Sequence, residues 1–252
     1  MKFIKLCSIL VIIGFSLIGC KSKKTNDDIV MPISELYNEG VALLQKQKYL
    51  KASESFGKIF YQHPGNEFTP QAELMQAYSL FLASQYDEAV DIIDVFISLH
   101  PANVDIAYAY YLKALSYYML ISNVNLDQSR TFLAKKSFED VILKFPKTKY
   151  AIDASLKIDL VNDHLAGKEI AVGRYYLNEK NPIAAINRFQ QVVDEYQTTS
   201  HTAEALYRLT ESYIMLGLPE EAKKYASVLG YNYPDSQWYS YAYKLIISSP
   251  SK

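Results

Sequence analysis

The chain is poor in the residues that most often carry chemistry. It has two cysteines, four histidines, one tryptophan and nine glycines in 252 residues. Cys7 falls inside an apolar leader and Cys20 at its end, so no thiol pair remains downstream for a disulfide or a cysteine metal site. Two of the glycines are also in the leader, and the others are too scattered to cradle a phosphate. G-x-S-x-G, G-x-x-x-x-G-K-[ST] and H-E-x-x-H are all missing. His63 and His100 hold one and the same position before a proline, which reads as repeat spacing rather than a ligand set. Acidic pairs such as Asp27-Asp28 and Glu220-Glu221 point apart as sequence neighbours and read as solvated. Charge of one sign is lacking too, with 26 basic against 27 acidic residues. A nucleic-acid binder would need a basic field, so no nucleic-acid partner is expected. No enzyme, metal or cofactor is expected.

Long hydrophobic runs are confined to the beginning. Met1-Lys2-Phe3-Ile4-Lys5 is a short basic start, and Leu6 to Ile18 is apolar apart from Ser8, Gly14 and Ser16. That length suits a signal-peptide core and falls short of the ~20 residues that span a bilayer as a helix. It ends in Leu17-Ile18-Gly19-Cys20, which resembles the lipobox of bacterial lipoprotein precursors. The resemblance implies cleavage after residue 19 and lipidation of Cys20. Two or more acyl chains, each methylene contributing about 0.8 kcal/mol, would hold the protein on a membrane. Lys21 follows Cys20, where an Asp retains enterobacterial lipoproteins in the inner membrane. The expectation is therefore a lipid anchor in the outer membrane, facing the periplasm. Loss of Lys2 and Lys5 would leave the mature chain with a net charge of about −3. Residues 20–32 are polar and read as a lipidated tether. The third unit of organisation is a repeat domain over residues 33–248.

Tyr49, Ala52, Phe56 and Pro64 are spaced by 3, 4 and 8 residues, and Tyr86, Ala89, Ile93 and Pro101 repeat this 37 residues later. A third copy keeps Ala134, Phe138 and Pro146; a fourth keeps Ala185 and Phe189 with Gln197 in place of proline; a fifth keeps Ala222, Ala226 and Pro234. Apolar helical stretches precede them, for example Leu36-Gly40-Leu43, Leu74-Ala77-Leu80 and Leu206-Thr210-Tyr213. Small residues let two antiparallel helices approach, and a large one a turn later fills the gap to the next pair. Proline closes the second helix because it lacks an N–H and clashes with the preceding turn. Asn181-Pro182 and Gly217-Leu218-Pro219 read as helix restarts. Strand signals such as Asn-Gly or Asp-Gly turns do not occur.

This pattern resembles the tetratricopeptide repeat. It implies an all-α fold, a superhelical stack of about five helix pairs, an α-solenoid. The spacing from Ala89 to Ala134 is 45, placing extra residues around Ser122 to Asp127, and from Ala134 to Ala185 it is 51, enough for an additional helix near Thr148 to Leu165. Tyrosine is abundant, at 22 residues. First helices line the concave groove of such a stack, so Tyr37, Val41, Leu74, Tyr78, Phe81, Tyr108 and Tyr111 are groove candidates, although each ring could equally cover the core between repeats.

Lipobox, tether and five degenerate units together resemble the BamD family of outer-membrane protein assembly factors. The likeness is carried by Ser34 to Pro64, by Tyr86-Asp87-Glu88-Ala89-Val90-Asp91-Ile92-Ile93-Asp94-Val95-Phe96, by Ala151-Ile152-Asp153-Ala154 and by Val172-Gly173-Arg174-Tyr175-Tyr176. It implies a non-catalytic subunit of the β-barrel assembly machine. Its implied partners are the periplasmic domain of BamA, the other lipoproteins of that complex, and unfolded outer-membrane protein substrates. Substrate targeting signals ending in an aromatic residue would meet Phe68, Tyr78 and Phe81 in the amino-terminal groove. Asn187-Arg188 matches an Asn-Arg pair near the family's BamA contact, where Arg188 could grip a carboxylate with two N–H bonds. The alternative is a repeat lipoprotein adaptor for pilus secretin or cell-wall assembly.

Overall fold

The computed structural model describes residues 30–248; the leader, the lipobox with Cys20 and most of the tether lie outside these. The described residues form eleven helices: α1 (Ile33–Gln45), α2 (Tyr49–Gln62), α3 (Thr69–Leu82), α4 (Tyr86–Leu99), α5 (Ile106–Met119), α6 (Ser129–Lys144), α7 (Lys149–Asn178), α8 (Pro182–Glu195), α9 (Thr202–Met215), α10 (Pro219–Asn232) and α11 (Gln237–Ser248). Each packs chiefly on the helix before and the helix after it. The result is a helical-repeat solenoid of five pairs, closed at its end by α11 lying against α9 and α10.

The spaced residues of the repeat make the core. Ala52, Ala89, Ala134, Ala185 and Ala222 are all fully buried, as are Phe56, Ile93, Phe138 and Phe189 one turn on. Burying one such aromatic or branched side chain contributes about 1.5–3 kcal/mol. The first helix answers the size of the second. A Cβ added to Gly40 would stand 2.6 Å from Phe56 Cζ, and one on Gly173 would meet the ring of Phe189 still more closely. In the second unit the same two positions hold Ala77 and Ile93, and in the fifth Thr210 and Ala226. As one partner grows, the other shrinks.

Both turns of the repeat have a fixed geometry. Between the helices of a pair, Gln47, Ser84, Lys180 and Gly217 adopt φ of 56°, 60°, 57° and 73°. The following residue's N–H then reaches back five residues, as Lys48 does to Leu43 O, Gln85 to Leu80 O, Asn181 to Tyr176 O and Leu218 to Tyr213 O, each at 2.9 Å. This is the Schellman closure of a helix. Asn181 also caps α8, accepting from the Ala184 N–H at 3.2 Å, with Pro182 in the first turn as expected.

At the other end of each pair, His63, His100, Phe145, Tyr196 and Tyr233 all leave the helix with φ between −127° and −136°. Tyr196 does so with Gln197 next instead of proline. Its exit is held by threonines: the Thr199 hydroxyl donates to Tyr196 O at 2.8 Å, and that of Thr202 to Tyr196 O and Gln197 O at 3.0 and 3.1 Å.

The two long spacings resolve differently. The first is a loop over 120–128, where sequence placed it, and the buried Gln128 amide knits it by donating to Asn123 O and Leu126 O. The second is not an additional helix. Residues 149–178 form one continuous helix of 30 residues. No glycine in a left-handed conformation and no proline interrupts it, so the segment continues straight into the fourth pair.

Candidate functional site

Two aromatic groups open along the first helices. At the amino-terminal end a groove of about 770 Å³ is lined by Ile33, Tyr37, Asn38, His63, Phe68 and Gln71, among others. Phe68, just before α3, is 56% exposed, and its N–H is fixed by Asn66 Oδ1 at 3.0 Å. Tyr37 meets Phe56 edge-on at 5.4 Å, so one side of its ring is core and the other lines the groove. The chain enters at the rim: the Met31 N–H donates to Gln62 Oε1 at 2.9 Å, and the Met31 carbonyl lies 2.7 Å from His63 Nε2.

The second group is a tyrosine cluster from α3, α5 and α7. Tyr108 and Tyr111 face Tyr150, with ring centres at 5.7 and 5.2 Å. Burial, with the nearby Tyr78, Tyr150 and Asp105, holds the Tyr108 hydroxyl well above the ordinary tyrosine range. Tyr111 is raised by burial and by its hydrogen bond to Asp153 Oδ2 at 2.5 Å. Both therefore keep their protons at any physiological pH and can act as donors.

Not every residue named from sequence belongs to these groups. Leu74 is only 3% exposed and packs between Ile93, Phe96 and Leu112, so it is core rather than groove. It follows Glu73, itself buried, on the side of α3 turned to α4. Phe81 meets Tyr86 edge-on at 5.4 Å in the α3–α4 corner and packs on the same core. Val41 packs partly buried against the first core cluster. Arg188 donates one N–H to Glu169 Oε2 at 3.2 Å and stays 42% exposed, leaving the rest of its guanidinium fork open.

Sequence reasoning passed over Tyr150, which lies just outside the repeat positions, and an ion network in the last two pairs. Glu204, 5% exposed, accepts from Arg174 through Nε at 2.6 Å and through Nη2, and from Arg208 Nε at 3.3 Å. Arg208 also donates to Glu211 at 2.8 Å and stands over the rings of Tyr207 and Trp238. The Glu204–Arg208 spacing of four was legible as a helix pair; its third member, Arg174, is a turn of chain away and was not.

Paired helices in series, with ring-lined grooves along the first-helix face, define a helical-repeat scaffold protein. The Outer membrane lipoprotein family (YfiO) matches residues 30–229 of the chain. The outer membrane protein assembly factor BamD of Rickettsia prowazekii (strain Madrid E) is 76% identical over 246 residues, covering 98% of both chains. That of Caulobacter vibrioides is 44% identical, covering 94% of this chain and 78% of its own, and that of Xylella fastidiosa (strain 9a5c) is 32% identical, covering 87% and 79%. The chain belongs to the BamD family of outer membrane protein assembly factors.

Proposed function

We propose that the chain is a non-catalytic adaptor subunit in the assembly of outer-membrane β-barrels. The observation that carries this reading is the 76% identity to the Rickettsia prowazekii factor over 98% of both chains. Residues 1–19 act as the signal peptide, Cys20 takes the lipid, and residues 20–32 tether the repeat domain of 33–248 to the periplasmic face of the outer membrane. The amino-terminal groove at Tyr37 and Phe68, with the Tyr78, Tyr108 and Tyr111 cluster beyond it, receives the targeting signals of unfolded substrates. Rings suit that task because they bury area while their hydroxyls stay hydrogen-bonded. The carboxy-terminal pairs, with Arg188, dock on the periplasmic domain of BamA, and other lipoproteins of the complex join the same scaffold.

Arg188 supports this division because it spends one donor on Glu169 and leaves a planar fork that fits a partner carboxylate. The test is co-purification from membranes in mild detergent. The native chain should bring down BamA, Arg188→Ala should weaken that recovery, and Cys20→Ala should move the protein out of the membrane fraction. A native-chain preparation that yields a secretin and no BamA would refute the assignment.

A further inference from the structure

The geometry points to a binding site for a peptide's carboxy-terminal carboxylate between α7 and α9, built from Arg174 and Arg208. The two arginines line a depression of about 280 Å³ together with Leu177, Glu211 and Met215. That volume is below the ~300–1,000 Å³ of small-molecule pockets, and suits the end of a chain. This site is separate from the aromatic groove and from Arg188, and stands without the function proposed above.

Three features make it a built site. First, Glu204 is almost fully buried and holds both guanidiniums, so neither side chain must be ordered when a ligand arrives. Second, the donors are only partly used. Arg174 spends Nε and Nη2 on Glu204, and Arg208 spends Nε on Glu204 and Nη1 on Glu211. A guanidinium has five N–H bonds, so Nη1 of Arg174 and Nη2 of Arg208 remain to meet the two oxygens of a carboxylate. Third, Leu177 and the half-exposed Met215 give apolar walls for the terminal side chain. An internal Asp or Glu would bring chain on both sides of the carboxylate into this small space; a free terminus brings it on one.

The local charge sets the strength. Two arginines face Glu204 and the partly exposed Glu211, so the site is close to neutral, and an incoming carboxylate competes with Glu211 for Arg208. Removal of that competitor should tighten binding.

Trp238, the single tryptophan of the chain, lies 5.7 Å from the Arg208 guanidinium and reports on the site from within. The experiment uses the full chain in detergent micelles and fluorescein-labelled Ala-Ala-Leu carrying a free carboxylate. Anisotropy measures binding, and Trp238 emission, read with the unlabelled N-acetylated peptide, locates it. Saturable binding is expected, at least tenfold weaker for the carboxy-terminal amide of the same peptide. Arg174→Gln and Arg208→Gln should each weaken it at least tenfold, while Glu211→Gln should strengthen it several-fold, a gain that damage to the fold cannot produce. Equal binding of acid and amide, equal binding of an amidated peptide with an internal Asp, or no saturable binding would each overturn the site.

Discussion

Adding one methyl group to the fourth helix pair tests how the repeat is locked. In Gly173→Ala the new Cβ falls in the space of the Phe189 ring, which is fully buried and packed in the main core cluster. Overpacking of this kind costs about 1–3 kcal/mol. Replacing glycine in the middle of a helix with alanine returns up to about 1 kcal/mol in propensity. The net expectation is a loss of about 1–2 kcal/mol, or roughly 2–8 °C in Tm for a domain of this size. The second unit contains its own answer, since Ala77 and Ile93 hold the same pair of positions. Gly173→Ala combined with Phe189→Ile should therefore recover stability relative to the sum of the two single changes, a coupling of the kind double-mutant cycles measure. Thermal unfolding followed by circular dichroism at 222 nm, a helix signal, reads all four proteins. A single variant as stable as the parent, or purely additive losses in the double, would refute the idea that the two helices trade volume.

Other outcomes follow from individual positions. Glu73 is buried at the repeat position of Leu36, and burial raises its carboxyl above the ordinary range while His100, 3.3 Å away, works against the rise. A folded-state pKa above the unfolded one means stability that is present at low pH and lost as pH rises through the carboxyl's titration. Glu73→Gln should thus gain about 1–3 kcal/mol over the parent at pH 8 and much less at pH 4; an equal gain at both would contradict the direction. Lys180 sits at φ 57° where the fifth unit has Gly217 at 73°. Lys180→Gly should stabilise by up to about 1 kcal/mol and Gly217→Ala should cost a similar amount, both readable as shifts in urea midpoint. Phe68→Ala removes a ring that is 56% exposed, so it should leave Tm within about 2 °C and yet weaken capture of unfolded barrel segments in crosslinking; a large fall in Tm would show Phe68 to be structural.

The repeat was legible because its physics is local. Alanine, an aromatic or branched residue one turn on, and a proline recur at fixed steps, and these set helix pairing with no knowledge of the rest. The loop after Met119 was legible for the same reason, as an excess of residues between two recognisable blocks. The continuous α7 was not: a long spacing can hold a second helix or one longer helix, and only packing against α6 and α8 chooses. Leu74 was misplaced because it lies next to groove positions on the same helix, and a rotation of one residue about the axis turns a side chain from groove to core. The hold of Glu204 on Arg174 joins residues 30 apart in sequence, which no helical period brings together. His63 and His100 read correctly as one repeat position, yet their partners differ, Met31 O in one unit and Glu73 in the other.

Depletion of the protein in living cells tests the central claim most directly. With the chain removed, the steady-state amount of folded outer-membrane β-barrels, read by heat-modifiable gel migration of membrane fractions, should fall before growth stops, and restoring the native chain should return it. Undiminished folded barrels in depleted cells would contradict the account.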